Sequence, residues 1–223
     1  MSKSKVRQRK YTPTVLRPGS KIRLTPAPKV LLKLDLGCGQ SCREGFQGVD
    51  IVPGKGVKYV VNLMKFPWPF KDNSCEQLYS CHFVEHLAPV FISPKGEYKL
   101  AADSPDDQDL LFRFFDECWR ILIPKGKMMV VVPACGSDRA FQDPTHRRFI
   151  ASNTFLYLSG QWREQQKLDH YNVKCRFSQT VDAIPVEPQS RVPEVQRRMS
   201  LHYRNYISDY VANLEAVKED EKK

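Results

Sequence analysis

A glycine turn between two short apolar segments is the feature that most constrains the fold of this chain. The nearly continuous apolar run VLLKLDL, over 30–36, is typical of a buried parallel strand. Gly37 and Gly39 follow at once, and a second apolar segment, over 48–52, contains Asp50. Glycines let a backbone approach a ligand closely, and a carboxylate at the end of the next strand can accept hydrogen bonds from ribose hydroxyls. The pattern therefore predicts a nucleoside-cofactor site.

Strand and helix patterns alternate along the chain as far as Pro133. We predict strands over 57–61, 75–80 and 128–132, helices over 83–87 and 109–122, and an inserted loop, rich in Pro, Gly and Asp, over 89–108. Such alternation implies an α/β fold with a mostly parallel, doubly wound sheet.

The pattern changes after Pro133. We predict a polar loop over 134–148, a helix over 151–158, two late strands within 170–187 and an amphipathic helix over 201–217. No internal repeat is visible.

The net charge of +10 is concentrated at the N-terminus. Residues 1–33 carry ten Lys or Arg and no Asp or Glu, whereas basic and acidic side chains are equal in number over 34–223. A basic arm punctuated by prolines is attracted to phosphate backbones, so nucleic acid is a candidate partner of 1–33. A solvated tail that aids solubility and a nuclear address are the alternatives.

The cysteines and the apolar runs indicate the cellular setting. The seven cysteines include no CxxC pair, which disfavours a disulfide framework or a zinc site. His82 and His86 are four positions apart, but with no third ligand and no HExxH motif the sequence predicts no metal site. There is no secretory signal and no apolar run near the roughly 20 residues that span a bilayer, so we expect an intracellular, cytoplasmic protein that does not enter membranes.

Three segments together resemble class I S-adenosylmethionine-dependent methyltransferases. DLGCG, over 35–39, is similar to their first motif, and FPWPFKDNSCEQLYSCHFVEHL, over 66–87, resembles their segment of a Pro-Phe pair, an acidic turn, a strand and Glu-His-Leu. CWRILIPKGKMMVVVP, over 118–133, resembles their helix, turn and fifth strand. The resemblance implies a Rossmann-like, seven-stranded sheet with helices on both faces and S-adenosyl-L-methionine as the cofactor.

The resemblance also implies roles for individual residues. The methionine part of the cofactor would lie on the first motif, the ribose at Asp50 with Ile51 beside it, and the adenine at Asn62 and Leu63. Ser80, Cys81 and His82, at the end of the fourth strand, would flank the sulfonium and the methyl acceptor. The residues of the first motif that this implication covers are Asp35, Leu36, Gly37, Cys38 and Gly39.

The first motif departs from the usual family pattern. Ser41 replaces the third glycine, and Asp50 follows Asp35 so soon in the chain that almost no room is left for a helix between them. A compact subset of small methyltransferases shares this shortened form with a Gly-Phe pair before the second strand, and Gly45-Phe46 fits that subset.

The loop DPTHRRF, over 143–149, is similar to the same subset and follows the carboxyl end of a strand, where open α/β sheets bind ligands. His146 is a candidate general base, because its unperturbed pKa lies near neutrality, and Asp143 a candidate to orient it. Arg147 and Arg148 would suit an anionic substrate. The alternative is a structural loop in which Asp143 caps the following helix.

The sequence thus predicts a basic arm over 1–28, a methyltransferase domain over 29–217 and a charged tail over 218–223. Nucleic acid is a candidate acceptor, although the chain lacks the Asn/Asp-Pro-Pro-Tyr/Phe motif of base-amine methyltransferases. Small-molecule or glycan acceptors stay open. A different class of function is a catalytically weak binding or assembly protein, which the arm would hold on nucleic acid.

Overall fold

The computed structural model describes residues 31–102, 104, 106–186 and 193–218. The predicted arm over 1–28 and all but the first residue of the predicted tail over 218–223 lie outside the described residues. No helix in the described part of the chain is long and apolar enough to cross a membrane.

Strands and helices alternate along the described chain. The strands are β1 (Leu32–Leu36), β2 (Gln47–Asp50), β3 (Val57–Val60), β4 (Cys75–Cys81), β5 (Phe91–Ile92), β6 (Tyr98–Lys99), β7 (Gln108–Asp109), β8 (Leu122–Pro133), β9 (Phe177–Pro185) and β10 (Ile207–Ala216). The α-helices are α1 (Leu110–Ile121), α2 (Arg139–Gln142), α3 (Gly160–Gln166) and α4 (Pro193–His202), and short 3-10 helices cover Val84–His86, Ser152–Leu158 and Asp169–Tyr171.

Seven strands form one sheet in the order β3-β2-β1-β4-β8-β10-β9. The neighbours from β3 to β8 pair in parallel, and β10 runs antiparallel to both β8 and β9. The winding reverses between β1 and β4, which creates the switch point at which open α/β sheets bind ligands. The predicted Rossmann-like, doubly wound and mostly parallel seven-stranded sheet is confirmed.

One face of the sheet forms the core with α1. In the strand register Leu34, Leu78, Met128 and Leu214 lie side by side, and all four are buried. The α1 helix begins as predicted, because the Asp109 carboxylate accepts a hydrogen bond (2.8 Å) from the backbone N–H two positions later. The Phe114 ring of α1 packs against the rings of Trp68 and Phe83, with centroids 5.4 and 5.7 Å apart.

The opposite face of the sheet carries polar and partly exposed side chains. An open cavity of about 450 Å³ lies there, and its lining includes Gln77, Tyr79 and Met129. The loop between β1 and β2 reaches this face, where the Arg43 guanidinium lies over the Tyr79 ring, 4.3 Å from its centroid. This loop therefore covers part of the sheet surface that a helix would otherwise occupy.

The C-terminal prediction is wrong. The segment predicted as an amphipathic helix over 201–217 contains the end of α4 and then the long strand β10. Its burial alternates along the strand, with Ala212, Leu214 and Ala216 buried, because pairing with β8 and β9 fixes an extended backbone. Of the two late strands predicted within 170–187, the described chain has one, β9.

Four smaller predictions also need correction. The predicted inserted loop over 89–108 contains β5, β6 and the start of β7, which form a separate three-stranded sheet. The predicted helices over 83–87 and 151–158 are 3-10 helices over Val84–His86 and Ser152–Leu158. Within the polar loop over 134–148, the short segment α2 is helical.

Candidate functional site

The site lies at the carboxyl edge of the sheet, where β1 ends and the winding reverses. Gly37 follows β1 with φ +72°, and its N–H donates a hydrogen bond (2.8 Å) to the carbonyl oxygen of Val49 on β2. A Cβ at this position would lie 2.5 Å from Cγ of Phe83. Only glycine therefore allows both the left-handed turn and the close approach of the Phe83 ring.

Two aspartates hold the short first loop. The Asp50 carboxylate accepts one hydrogen bond from the N–H of Gly39 (2.8 Å) and another from the N–H of Val52 (3.0 Å). Asp35 is buried and accepts a hydrogen bond (2.7 Å) from the N–H of Arg43. Burial raises the pKa of Asp35, while the Arg43 N–H and guanidinium act against that rise.

The loop needs no helix to cross from β1 to β2. Residues 37–46 are all described and consist of turns, a bend and residues without regular secondary structure. Its two ends are fixed at carboxylates of β1 and β2, so the backbone N–H groups that a helix would satisfy internally are partly satisfied by side chains.

A small cavity of about 130 Å³ opens beside this loop. Five predicted cofactor residues line it: Gly37, Asp50, Ile51, Asn62 and Leu63. Val61, Met64 and Phe83 complete the lining and were not predicted. The wall is mostly apolar with one carboxylate at its edge, an arrangement that suits a flat heterocycle attached to a hydroxylated sugar.

The other six predicted cofactor residues lie outside the lining of this cavity: Asp35, Leu36, Cys38, Gly39, Ser80 and Cys81. Leu36 is a buried core residue, and the fully buried Ser80 hydroxyl donates a hydrogen bond (3.1 Å) to the Leu36 carbonyl oxygen. Ser80 therefore ties β4 to the end of β1. Burial raises the pKa of the Cys38 thiol to about 11 and raises that of Cys81 as well, so neither is activated as a nucleophile.

A polar cluster follows the end of β4. His82 has φ +52°, and this left-handed backbone directs its ring between two carboxylates: Nδ1 lies 3.2 Å from Oε1 of Glu85 and Nε2 3.5 Å from Oδ1 of Asp209. Glu85 is 1% exposed, and its Oε2 has no hydrogen-bond partner among the described residues. An ionisable group so deeply buried is costly unless something pairs with it.

His146 reaches the same cluster from the loop after β8. Its Nδ1 lies 2.9 Å from the carbonyl oxygen of Ala140, and its Nε2 lies 3.9 Å from Oε1 of Glu85. The ring nitrogen facing a carbonyl must carry a proton, so in the neutral imidazole Nε2 holds the lone pair. His146 is thus oriented by a backbone carbonyl.

Asp143 lies farther from His146 than predicted for an orienting carboxylate. The shortest separation, from Oδ2 to Nε2, is 4.0 Å, which is too long for a hydrogen bond. Asp143 instead accepts hydrogen bonds from both the N–H and the hydroxyl of Thr145 (2.7 Å each), and these bonds lower its pKa.

Arg147 and Arg148 have different environments. The Arg148 guanidinium donates to the carbonyl oxygens of Leu87 and Ala88 (2.9 and 2.8 Å) and pairs with Asp109. Arg148 therefore holds the loop in place, whereas Arg147 is exposed and is the member of the pair that can face a ligand.

The sequence reasoning missed Glu85, Phe83 and Asp209. A signal was present for Glu85, because HFVEH puts a carboxylate between two histidines directly after a strand. Nothing in the sequence pointed to Asp209, which lies on the strand that was predicted to be a helix.

Comparisons with known proteins find likeness in structure alone. No protein-family model matches the sequence, and no curated protein matches it. Among solved structures, the chain is similar to a SAM-dependent methyltransferase from Archaeoglobus fulgidus, at 15% identity and a TM-score of 0.47 over 84% of this chain and 87% of that chain.

Two further solved structures are similar at the same level. One is a complex between the Haloferax volcanii Trm112 methyltransferase activator and a putative methyltransferase (13% identity, TM-score 0.45, 86% and 85% covered). The other is an S-adenosylmethionine-dependent methyltransferase from Mesorhizobium loti (14% identity, TM-score 0.42, 85% and 93% covered). The likeness is distant, and the Rossmann-like fold of this chain follows independently from its strand order.

Proposed function

We propose that this protein is an S-adenosylmethionine-dependent methyltransferase. The observation that carries the proposal is the cavity beside the glycine turn, where Gly37, Asp50, Ile51, Asn62 and Leu63 come together from three successive strand ends. The sequence motifs imply a cofactor contact for each of these five residues. Their convergence at the switch point of a doubly wound sheet supports a bound nucleoside.

The residues present fit such a cofactor. The Asp50 carboxylate accepts two backbone hydrogen bonds, one at each oxygen, and a carboxylate has about four acceptor positions. Two positions thus stay available for ribose hydroxyls. The purine ring would pack between Ile51, Leu63 and Phe83. The open space beside Gly39 would admit the methionine part, because a Cβ at Gly39 would meet no atom within 4 Å.

The chain's own residues have little covalent chemistry to perform. A sulfonium supplies an already activated methyl group, so the protein must mainly align the acceptor and, where needed, remove its proton. We assign the proton acceptor to Nε2 of His146, which lies 3.9 Å from Oε1 of Glu85. His82, held between Glu85 and Asp209, would line the path of the acceptor.

Calorimetric titration with S-adenosylmethionine and S-adenosylhomocysteine tests the cofactor site. We expect binding by the wild-type chain, and a loss of at least about tenfold in affinity in Asp50→Ala, because a charge-assisted hydrogen bond contributes roughly 1.5–3 kcal/mol. Glu44→Ala is the matched control: it removes an exposed carboxylate from the same loop and should bind as the wild type does. Absence of heat with both ligands would refute the proposal.

We propose nucleic acid as the acceptor class, because the whole positive excess of the chain lies in residues 1–33 and Arg147 is exposed beside the site. Transfer of labelled methyl groups into fractionated DNA, RNA, protein and small molecules tests this directly. Absence of label from both the DNA and the RNA fraction, with label in another fraction, would contradict it.

A second candidate is a binding or assembly protein in which methyl transfer is weak or lost. It is favoured by Asp50, whose two oxygens are already engaged by the shortened loop. Deleting residues 1–28 and measuring nucleic-acid affinity at two salt concentrations tests the arm, because each lost phosphate contact reduces the salt dependence. Unchanged affinity would show that the arm does not bind nucleic acid, and neither candidate function could then rely on it.

A further inference from the structure

The fold assembles a cluster of metal-ligand side chains after the end of β4. Glu85, His86 and His146 can each bring one ligand atom to within 4.8 Å of the others. Two of these residues follow β4, and the third ligand, which no motif near them in the sequence provides, comes from the loop after β8. From this geometry we infer that Glu85, His86 and His146 bind a divalent transition-metal ion.

The tautomers of both histidines leave a lone pair for a metal. Nδ1 of His146 faces the carbonyl oxygen of Ala140 and must donate to it. The Thr145 hydroxyl gives its single proton to Asp143 (2.7 Å), so Nδ1 of His86, 3.1 Å away, must donate to the Thr145 oxygen. Each Nε2 therefore carries the lone pair, and hydrogen bonding of the second ring nitrogen is what orients metal-bound histidines.

Glu85 supplies the charge that such an ion needs. Its side chain is 2% exposed; Oε1 lies 3.2 Å from His82, and Oε2 has no hydrogen-bond partner in the described chain. An unpaired carboxylate oxygen this deeply buried costs free energy, and a cation offsets that cost. This orphaned oxygen is independent of the spacing of the histidines and points to the same ligand.

The loop that brings His146 to Glu85 is fixed by several contacts. The N–H groups of Arg147 and Arg148 both donate to the Glu85 carbonyl oxygen (2.8 and 3.0 Å), and the Arg148 side chain binds the carbonyl oxygens that follow the 3-10 turn at Leu87 and Ala88. Zinc-like ions hold nitrogen and oxygen ligands at about 2.0–2.2 Å, so two ligands of one tetrahedral ion lie about 3.3–3.6 Å apart. The three ligand atoms lie within 4.8 Å of one another, so shifts of up to about 0.7 Å by each side chain would close the site.

The ligand set selects the kind of ion. Two imidazoles and one carboxylate suit Zn²⁺, Mn²⁺, Fe²⁺ or Co²⁺, whereas Mg²⁺ and Ca²⁺ prefer all-oxygen sites. Three protein ligands leave at least one coordination position open to water or to an oxygen of another molecule. The metal site shares no residue with the proposed cofactor contacts, and metal binding does not depend on methyl transfer. A bound ion would occupy the Nε2 lone pair of His146, so the proton acceptor assigned above applies to the metal-free protein.

Titration of the full chain with Co²⁺ tests the site without any cofactor. After chelator treatment and dialysis, we expect one equivalent of Co²⁺ to bind with the visible absorption of a nitrogen- and oxygen-ligated ion, and Zn²⁺ to displace it. Glu85→Gln, His86→Ala and His146→Ala should each weaken binding at least tenfold. His202→Ala, which removes an exposed histidine on α4, is the control and should bind as the wild type does.

Glu85→Gln is the decisive variant, because it keeps the side-chain shape and the backbone carbonyl that holds the loop. Circular dichroism would verify that it folds. Unchanged Co²⁺ affinity in folded Glu85→Gln would overturn the inference, as would a charge-transfer band showing that cysteine thiolates hold the ion. Failure of Co²⁺ binding with intact binding of S-adenosylmethionine would remove the metal site and leave the proposed function standing.

Discussion

Substitution of Gly37 by Ala should destabilise this protein more than the same change at Gly39. Both glycines have left-handed backbones, with φ +72° and +55°, and an L-residue there costs roughly 1–2 kcal/mol. The surroundings differ: a Cβ on Gly37 would lie 2.5 and 2.8 Å from Cγ and Cβ of Phe83, whereas a Cβ on Gly39 has no atom within 4 Å.

The contact with Phe83 adds a packing cost at Gly37 alone. Rotation of the ring cannot relieve it, because the Phe83 Cβ is itself too close, and the ring also packs against Phe114. Forcing extra volume into a packed site costs about 1–3 kcal/mol. We therefore expect Gly37→Ala to lower the free energy of unfolding by about 2–5 kcal/mol and Gly39→Ala by about 1–2 kcal/mol.

Urea unfolding with linear extrapolation measures both values. A double-mutant cycle isolates the packing contribution. In a Phe83→Gly background, which removes both the Cβ and the Cγ that the new methyl group would meet, Gly37→Ala should cost about as much as Gly39→Ala does, about 1–2 kcal/mol. Equal destabilisation by the two glycine substitutions in the wild-type background would refute the reasoning, because it would mean that Phe83 does not restrict Gly37.

Two further predictions concern the thiols and the core. Burial and a neighbouring carboxylate raise the pKa of Cys38 to about 11. Its alkylation by iodoacetamide should therefore be slow at pH 8 and should accelerate roughly tenfold per pH unit toward pH 11. Peptide mass spectrometry measures this rate, and a rate that levels off below pH 9 would contradict the prediction. Arg163→Met should lower the free energy of unfolding by about 3 kcal/mol or more. The buried Arg163 guanidinium donates hydrogen bonds to the carbonyl oxygens of Tyr157, Val173 and Cys175, and all three would lose their donor. Arg176→Met, the control, breaks an exposed ion pair with Glu164 and should lower the free energy of unfolding by less than about 1 kcal/mol. Urea unfolding measures both variants. Similar losses of stability would show that burial of Arg163 does not matter.

The parallel part of the main sheet and the helix that covers it follow from local patterns. Apolar runs predicted β1, β2, β3 and β4 close to their observed positions, and helical spacing predicted α1. For β8 the predicted strand over 128–132 covers only the second half of the observed one. Each of these patterns is complete within one short segment of the chain, so short-range information suffices. The cavity residues could be predicted for a related reason, because the carboxyl ends of neighbouring parallel strands meet at one edge.

Contacts between segments far apart in the chain determined the elements that the sequence did not predict. The segment 207–216 has apolar residues that satisfy a helical spacing and an alternating one, and only its pairing between β8 and β9 makes it a strand. The same kind of information fixes the small sheet of β5, β6 and β7, whose strands are too short to give a periodic signal.

The sequence by itself determined the glycine turn, the carboxylate of Asp50 and the succession along the chain of the strands that carry them. Each of these depends on residues close together in the chain. Tertiary structure alone decided that Asp50 is held by the N–H of Gly39 and that His146 meets Glu85 and His86. The meeting of His146 with Glu85 and His86 depends on how two loops far apart in the chain are packed. Hydrogen bonds to backbone carbonyls set that packing, and no side-chain pattern in the sequence records them.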